Sequence, residues 1–379
     1  MRPLLAVQAG DPAQLAVALR AAIDGSGPAI LPLPAGAAQP ADLPDEVPVA
    51  TAVVVATSGS SGPPKRVVLP TSALLTSAAA TENALGGPGE WVLALPGHYI
   101  AGVQVIVRSF AAGAEPHPIA PGPFRAEAFA AAIRTLPADR RRYSALVPTQ
   151  LHRVLDAVGA GDAAVIDAVR SLDALLIGGG RLADVDAARA REAGIPVVRT
   201  YGASETAGGC VYDGVPLTGV EVRIVDGEVQ LAGAVLADGY LGDPERTERT
   251  FLSEPGRRWY RTGDAGDWDG ARLSVTGRLD DVIVSGGEKV SLAAVERAVQ
   301  ELPGMADAVV VRAPDAEWGD VPVVVTSAGG TDLPTLRAVI TERLGRAAAP
   351  RRLVVVDPLP LLPNGKPDRV RLAALAAGG

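Results

Sequence analysis

At 379 residues, with 48% hydrophobic and 21% charged side chains, the chain is long enough for two or three domains and has the composition of a folded globular protein. A formal net charge of −8 argues against a nucleic-acid or anionic-membrane surface as the main partner, because both select a basic face. A single cysteine, Cys210, permits no internal disulfide, and three dispersed histidines (His98, His117, His152) without a CxxC pair argue against structural zinc.

At the N-terminus, Gly10, Asp11 and Pro12 interrupt the chain before a secretory apolar run could form. No uninterrupted apolar run reaches the roughly 18 residues of a membrane span. The expected location is therefore cytoplasmic. Short runs rich in Val, Ile and Leu at 51–57, 91–95, 143–147, 174–179 and 195–201 predict buried parallel strands. Ala-rich helices are expected between them, over 71–85 and roughly 125–136, 150–158, 162–170 and 183–193. The first would be capped by Thr71 or Ser72 and stopped by Gly86-Gly87-Pro88. Strands alternating with helices predict an α/β fold built on doubly wound sheets.

After about residue 215 the pattern changes. VEVRIVDGEVQLAG alternates around Asp226-Gly227, a hairpin signal, and RLSVTGR continues in short-strand style, so a small β lobe is expected over about 215–279. From about 289 the chain predicts a compact α+β unit, with helices at 293–302 and 333–344 and strands at 308–312, 321–327 and 352–356. The expected division is a large N-terminal domain over 1–279 and a small C-terminal domain over 280–379.

Chemistry-bearing residues gather at a few turns. TSGSSGPPK (57–65) follows a strand and combines Gly, hydroxyl groups and an ammonium, which suits a phosphate cradle; taken alone, a flexible surface loop explains it better. It is not a Walker A loop, since Pro64 precedes Lys65 and Arg66 follows it. RTYGASETAGG (199–209) brings a ring, a hydroxyl and a carboxylate to one strand end. Tyr201 could stack on a base, Ser204 could donate to a phosphate oxygen and Glu205 could hold Mg²⁺. A helix start, with Ser204 as cap and Glu205 facing the dipole, explains the same residues equally well. Thr206 stands where a serine-hydrolase elbow needs Gly. In YRTGDAGDW (260–268), Asp264 on a Gly turn suits a ribose diol, because one carboxylate accepts two hydroxyls. GRLDDVIVSGGEKVS (277–291) and PLPLLPNGKPDR (358–369) complete the series. Of 35 basic residues only three are lysines, and Lys65, Lys289 and Lys366 all fall in these segments.

With these five segments in this order, the chain resembles the adenylate-forming acyl-CoA synthetase superfamily from about Thr57 to Arg369. The very short region before residue 57, with LALPGHYIAGVQVIVRSFAAG and SALVPTQL, is similar to the 2-succinylbenzoate–CoA ligases of menaquinone biosynthesis. The resemblance implies ATP, Mg²⁺ and coenzyme A as cofactors. It assigns Thr57, Ser58, Gly59, Ser60, Ser61, Gly62 and Lys65 to the ATP phosphates, and Gly178, Gly179, Gly180 and Tyr201 to the adenine side. Asp264 and Arg278 fall to the ribose side and Glu205 to Mg²⁺. It makes Lys366, Glu205 and Ser204 catalytic, and Asp280 the hinge of a mobile C-terminal domain. Ser285, Gly286, Gly287 and Lys289 would line the coenzyme A passage, and His98, Tyr99, Gly202 and Ala203 the acid pocket.

Two departures bear on detail. Gly178-Gly179-Gly180-Arg181-Leu182 stands where many members have Gly-Gly-Ala-Pro-Leu, and His98 precedes the aromatic residue that it commonly follows. The implied reaction forms an acyl-AMP and then a thioester. Another aromatic or short acid, delivery to a carrier protein, and a non-catalytic nucleotide sensor are the alternatives; a sensor would be expected to lose Lys366 or Glu205. A polynucleotide ligase would need a Lys-x-Asp-Gly motif, which is absent. The partners implied are a small carboxylic acid, ATP and CoA, with a homodimer left open. Which arginine would meet a second substrate carboxylate is not legible.

Overall fold

The computed structural model describes residues 1–57, 65–327, 329–362 and 366–377. Their strands form four sheets. The first places, edge to edge, Gly239–Tyr240, Lys65–Pro70, Thr51–Thr57, Ala29–Leu33, Arg2–Gln8 and Glu46–Val47. Its N-terminal part is a βαβ unit whose helix, Pro12–Asp24, the sequence reading does not anticipate. The signal lies in the interruption itself: Asp11 caps the helix by accepting from Ala13 N at 2.9 Å, Pro12 sits in the first turn, and Gly25 ends it at φ +80°. Thr51–Thr57, expected among parallel strands, is parallel only to Ala29–Leu33 and pairs antiparallel with Lys65–Pro70.

In the second sheet, Gly89–Leu93, Arg141–Leu146, Ala174–Ile177 and Val197–Ala203 run parallel side by side. Gly208–Tyr212 then adds antiparallel to the last of them. Helix Thr71–Leu85 has the expected bounds but not the expected cap. Pro70 occupies the N-cap position without a side-chain bond, and the exposed Thr71 N–H is satisfied by Ala50 O at 3.0 Å. One core runs through the first two sheets, around Leu15, Leu69, Leu74 and Ile106.

The third sheet is antiparallel. Asp226 and Gly227 both have positive φ, +51° and +79°, and close the hairpin between Val220–Val225 and Glu228–Gly233, as the dipeptide predicts. Asp264 does not sit on a turn. It lies inside the 12-residue strand Arg257–Trp268, bent by Gly263 at φ +70° and by a register shift between Ala265 and Gly266. The short pairs Val215–Pro216 and Gly239–Tyr240 belong to the second and first sheets, so the lobe's own sheet begins at Val220.

The fourth sheet takes Val282–Ser285, Glu288–Ser291, Val309–Asp315, Gly319–Thr326 and Arg352–Val355. It is packed by helices Leu292–Gln300 and Leu333–Leu344 around its own core of Ile283, Val295, Val299, Leu336 and Ile340. Helix Arg369–Ala377, not anticipated, packs on the other face through Leu372 and Ala376.

Candidate active site

Four parallel strands of the second sheet end at one place. Leu95-Pro96, Val147, Gly178-Gly179 and Ala203-Ser204 all follow carboxyl ends there, and all line a cavity of about 230 Å³. Open α/β sheets bind ligands at such ends because several loops and their backbone groups converge. Thr57, from the first sheet, and Lys366, from the C-terminal unit, reach the same cavity.

Glycines form part of the cavity wall. Gly179 has φ +76°, and a Cβ there would lie 3.1 Å from Lys366 Cε. At Gly178 a Cβ would collide with Thr200 Oγ1, which donates to Ile177 O at 3.2 Å. Thr200 and Gly209 also line the cavity, and sequence reasoning did not single them out. Gly180 is not among the lining residues. Arg181 turns outward to Asp184 at 2.8 Å and reaches Gln300 of the C-terminal unit at 3.5 Å.

Tyr201, Asp264 and Arg278, far apart in sequence, meet one another, though none of the three is on the cavity wall. The Tyr201 hydroxyl donates to Asp264 Oδ2 at 2.6 Å, and Arg278 Nη1 donates to Asp264 Oδ1 at 3.1 Å. Burial pushes the Tyr201 phenol far above its ordinary pKa, with the neighbouring carboxylate adding to the shift. Burial also raises Asp264, against the pull of Tyr201 and Arg278. Arg278 bridges onward to Asp280 at 3.0 Å, and despite burial that contact holds Asp280 below its ordinary value.

Ser204–Thr206 is a single 3₁₀ turn, and Ser204 is not its cap. The Thr206 hydroxyl accepts from Ala203 N at 2.9 Å and lies 2.8 Å from Gly208 O as donor, so it fixes the loop that presents Ser204 to the cavity. Glu205 is buried beside it, and its Oε1 accepts from Tyr240 at 2.7 Å. Lys65 Nζ lies 5.9 Å from the Tyr240 ring centre, so the ammonium and the carboxylate flank one aromatic residue. Tyr240 is a missed residue. Its only sequence signal was position, in a Gly-Tyr pair after the hairpin. Among the described residues no group of three or more His, Cys, Asp or Glu side chains could hold a metal ion. Glu205 is a hard oxygen donor of the kind Mg²⁺ takes when phosphates and water complete its shell.

Lys366 keeps much of its surface exposed, yet the protein around its ammonium strips enough water to lower its pKa from the ordinary lysine value. The hairpin carrying Ser285, Gly286, Gly287 and Lys289 is absent from the cavity wall. Gly286 and Gly287 take φ +57° and +85° in its turn, Gly286 packs under Trp318, and the Ser285 hydroxyl is buried without a partner.

One face of helix Ile100–Ala111 supplies another part of the cavity wall. Gln104 and Arg108, one turn apart, both line it. Gln104 Nε2 donates to Ala207 O at 2.8 Å and Leu74 O at 3.3 Å, leaving Oε1 buried with no partner. Arg108 is 6% exposed; its guanidinium lies 5.1 Å from the Trp91 ring centre and donates to Tyr212 Oη at 3.4 Å, while Nε is buried with no partner among the described residues. Tyr212 is held in turn by Thr81, with the two hydroxyls 2.9 Å apart. Among the described residues no carboxylate pairs with Arg108. A buried cation left in this state favours an anionic ligand. Tyr99, Gly202 and Ala203 are on the wall as expected. His98 is not; its ring centre is 4.1 Å from that of Tyr99, its Nε2 is buried without a partner, and burial lowers its pKa. The predicted phosphate residues Ser58, Gly59, Ser60, Ser61 and Gly62 lie outside the described residues, between Thr57 and Lys65.

This geometry has known counterparts. The sequence model of the AMP-binding enzyme family matches residues 6–241, and that of the AMP-binding enzyme C-terminal domain matches 294–366. A "Probable 2-succinylbenzoate–CoA ligase" of Mycobacterium tuberculosis is 40% identical over 398 aligned positions, covering 100% of this chain and 99% of the relative. The 2-succinylbenzoate–CoA ligase of Enterococcus faecalis is 30% identical, over 86% of this chain and 69% of its own. Among solved structures, the o-succinylbenzoate CoA synthetase of Bacillus subtilis, in complex with its acyl-adenylate intermediate, superposes with a TM-score of 0.72 at 27% identity. It covers 85% of this chain and 69% of that one. An amide bond synthetase from Marinactinospora thermotolerans gives 0.76 at 27% identity, over 99% and 80%. No helix among the described residues is long and apolar enough to cross a membrane.

Proposed function

The chain belongs to the AMP-binding enzyme family, and from that premise we propose that it is the ligase that joins 2-succinylbenzoate to coenzyme A in menaquinone biosynthesis, with ATP cleaved to AMP and diphosphate. The observation that carries the choice of acid is Arg108. An AMP-forming ligase needs one substrate carboxylate at the α-phosphate; a second anion is asked for by a buried guanidinium on the same cavity wall that has no carboxylate partner among the described residues. 2-Succinylbenzoate has two carboxylates, and a long acyl chain has no group for Arg108. Benzoate has a single carboxylate and leaves Arg108 without an anion.

In the first half-reaction a substrate carboxylate oxygen attacks the α-phosphorus, its bond to phosphorus forms, and the bond to the diphosphate oxygen breaks. Two anions must come together for this, and Lys366, on the cavity wall beside Gly179, supplies a compact ammonium that follows charge onto the phosphorus oxygens. Asp264 takes the ribose hydroxyls through the acceptor positions that Tyr201 and Arg278 leave open, and Ser204 donates to a phosphate oxygen. Residues 57–65 hold the outer phosphates. Glu205, with Oε1 fixed by Tyr240, would hold Mg²⁺, which when bound neutralises phosphate charge.

In the second half-reaction the coenzyme A thiolate attacks the acyl carbon and AMP leaves. The arrangement described here, with Lys366 at the cavity and hairpin 285–289 away from it, suits the first half. The second requires the domain 280–379 to turn about Asp280 so that the Gly286-Gly287 backbone lets the thiol arm pass. We place the reaction in the cytoplasm, where ATP and coenzyme A are supplied, and leave a homodimer to be decided by light scattering.

The test is ATP-dependent thioester formation with 2-succinylbenzoate, benzoate and a medium-chain fatty acid, with diphosphate release followed in parallel. Selective turnover of 2-succinylbenzoate is the expected result. Turnover of another acid alone would discard the pathway and keep the chemistry; no adenylation of any acid would point to a nucleotide sensor.

A further inference from the structure

Lys366 lies on a narrow turn. Leu362 N donates to Lys366 O at 2.8 Å, Leu361 bridges Pro367, and Asp368 N closes the base on Pro360 O at 3.0 Å. These bonds join the residues on either side of Lys366 to one another. Just beyond them, Arg369 anchors the chain to the body of its domain. Arg369 Nη2 donates to both oxygens of Glu296, at 2.9 and 2.7 Å, and its Nη1 donates to Val310 O at 3.0 Å. Glu296 is itself fixed, since its Oε2 also accepts from Val310 N at 2.8 Å. The carboxylate thus ties helix Leu292–Gln300 to strand Val309–Asp315, and the guanidinium ties both to the start of helix Arg369–Ala377.

We propose that Arg369, through its paired contact with Glu296, is the positioning residue that aims Lys366 in the adenylating half-reaction. This rests on the role given to Lys366 above. Lys366 lies three residues from Arg369, at most about 10 Å of chain, so a tilt of roughly 6° or more at Arg369 is needed to move the lysine by about 1 Å. An error of about 1 Å at a reacting centre can cost on the order of 100-fold in rate. Lysine could not replace Arg369, because one ammonium cannot hold two carboxylate oxygens and the Val310 carbonyl in a planar fork. Arg369 touches no substrate. Its effect is confined to the arrangement in which Lys366 faces the cavity, because the thioester-forming half uses hairpin 285–289 of the same domain.

The experiment measures the two halves separately: diphosphate release from ATP and 2-succinylbenzoate, and thioester formation from synthetic acyl-AMP and coenzyme A. In Arg369→Ala, adenylation is expected to fall by about 10- to 100-fold, with thioester formation within about twofold of wild type. In Lys366→Ala, adding Arg369→Ala should cause no further loss of adenylation. Glu296→Gln, which keeps the size of the side chain, carries the same expectation if Arg369→Ala folds poorly, and Arg369→Lys should not restore the rate. Equal loss in both halves would make the contact merely structural and overturn the proposal. So would multiplicative losses in the double variant, or unchanged adenylation in Glu296→Gln. Full adenylation by Lys366→Ala would instead sink the reading of Lys366, and the proposal with it.

Discussion

The phenol of Tyr201 and the carboxylate of Asp264, 63 residues apart, are joined by a 2.6 Å hydrogen bond across the boundary between the second and third sheets. Because burial raises both pKa values, the phenol stays a donor throughout the working pH range, and the carboxylate depends on that donor and on Arg278 to remain charged. Hydrogen bonds to charged groups contribute about 1.5–3 kcal/mol. Tyr201→Phe is therefore expected to raise KM for ATP by roughly tenfold or more with little change in KM for the acid. Its low-pH limb of kcat/KM for ATP should move to higher pH, because a bond favouring the ionised carboxylate has been removed. Steady-state kinetics between pH 5 and pH 8 check both; an unshifted limb would separate Asp264 from ATP binding.

Lys366 has a pKa lowered by desolvation, and the role proposed for it in adenylation needs its charged form. Activity of the free enzyme should accordingly fall as pH rises through a value below the ordinary lysine pKa of about 10.4. Once the anionic phosphates are bound, the ammonium is stabilised, so the limb in kcat lies at higher pH than the limb in kcat/KM. Diphosphate release measured from pH 7 to pH 10.5 tests this. Thioester formation from supplied acyl-AMP should lack the lysine limb; its presence there would place Lys366 in both halves.

The role proposed for Arg108 is to separate acids by their second charge. Arg108→Met removes the buried guanidinium while keeping an apolar wall, and should raise KM for 2-succinylbenzoate by roughly 10- to 100-fold, the range expected for a charge-assisted contact of about 1.5–3 kcal/mol. Arg108→Lys should recover only part of this, since Tyr212 and the Trp91 ring are placed for a planar group. With a benzoate analogue whose side chain lacks the distal carboxylate, wild type and variant should be close. Equal losses on both acids would mean that Arg108 supports the cavity and does not read the substrate.

What the sequence disclosed follows from how each signal is generated. Apolar runs and Asp226-Gly227 are local signals: a strand forms at each of the five runs, although Thr51–Thr57 also pairs antiparallel and Val197–Ala203 has no buried residue, and the dipeptide closes its hairpin. The motif segments marked Tyr201, Ser204, Asp264 and Lys366 because their order along the chain is itself information; Ser204 and Lys366 lie on the cavity wall, and the carboxylate of Asp264 meets Tyr201. Asp264 was expected on a turn because two glycines flank it, whereas pairing on both edges of a long strand overrides local preference. Arg108 was invisible for the opposite reason. It is one arginine on an apolar helix, and only the packing of Trp91, Tyr212 and Gln104 around it shows that its charge lacks a carboxylate partner among the described residues. Tyr240 likewise acquires meaning only through a contact 35 residues away, on Glu205.

Two glycines assigned to the site should behave differently when given a methyl group. At Gly202 a Cβ would run into the Gly208 carbonyl oxygen and lie 2.8 Å from Gly209 Cα, backbone atoms of the paired strand that cannot turn aside. The two strands would have to part at the register shift between Tyr201 and Gly202, which moves Tyr201 on one side and Ser204 on the other. At Gly180 the same atom would meet only Pro148, at 3.7 Å, an ordinary contact. Gly202→Ala is therefore expected to lose about 1–3 kcal/mol of stability, the usual cost of overpacking, and to raise KM for both ATP and acid. Gly180→Ala should stay close to wild type in both. Urea melts paired with steady-state kinetics decide the matter, and equal tolerance at the two positions would show that the strand pair yields where its backbone contacts say it cannot.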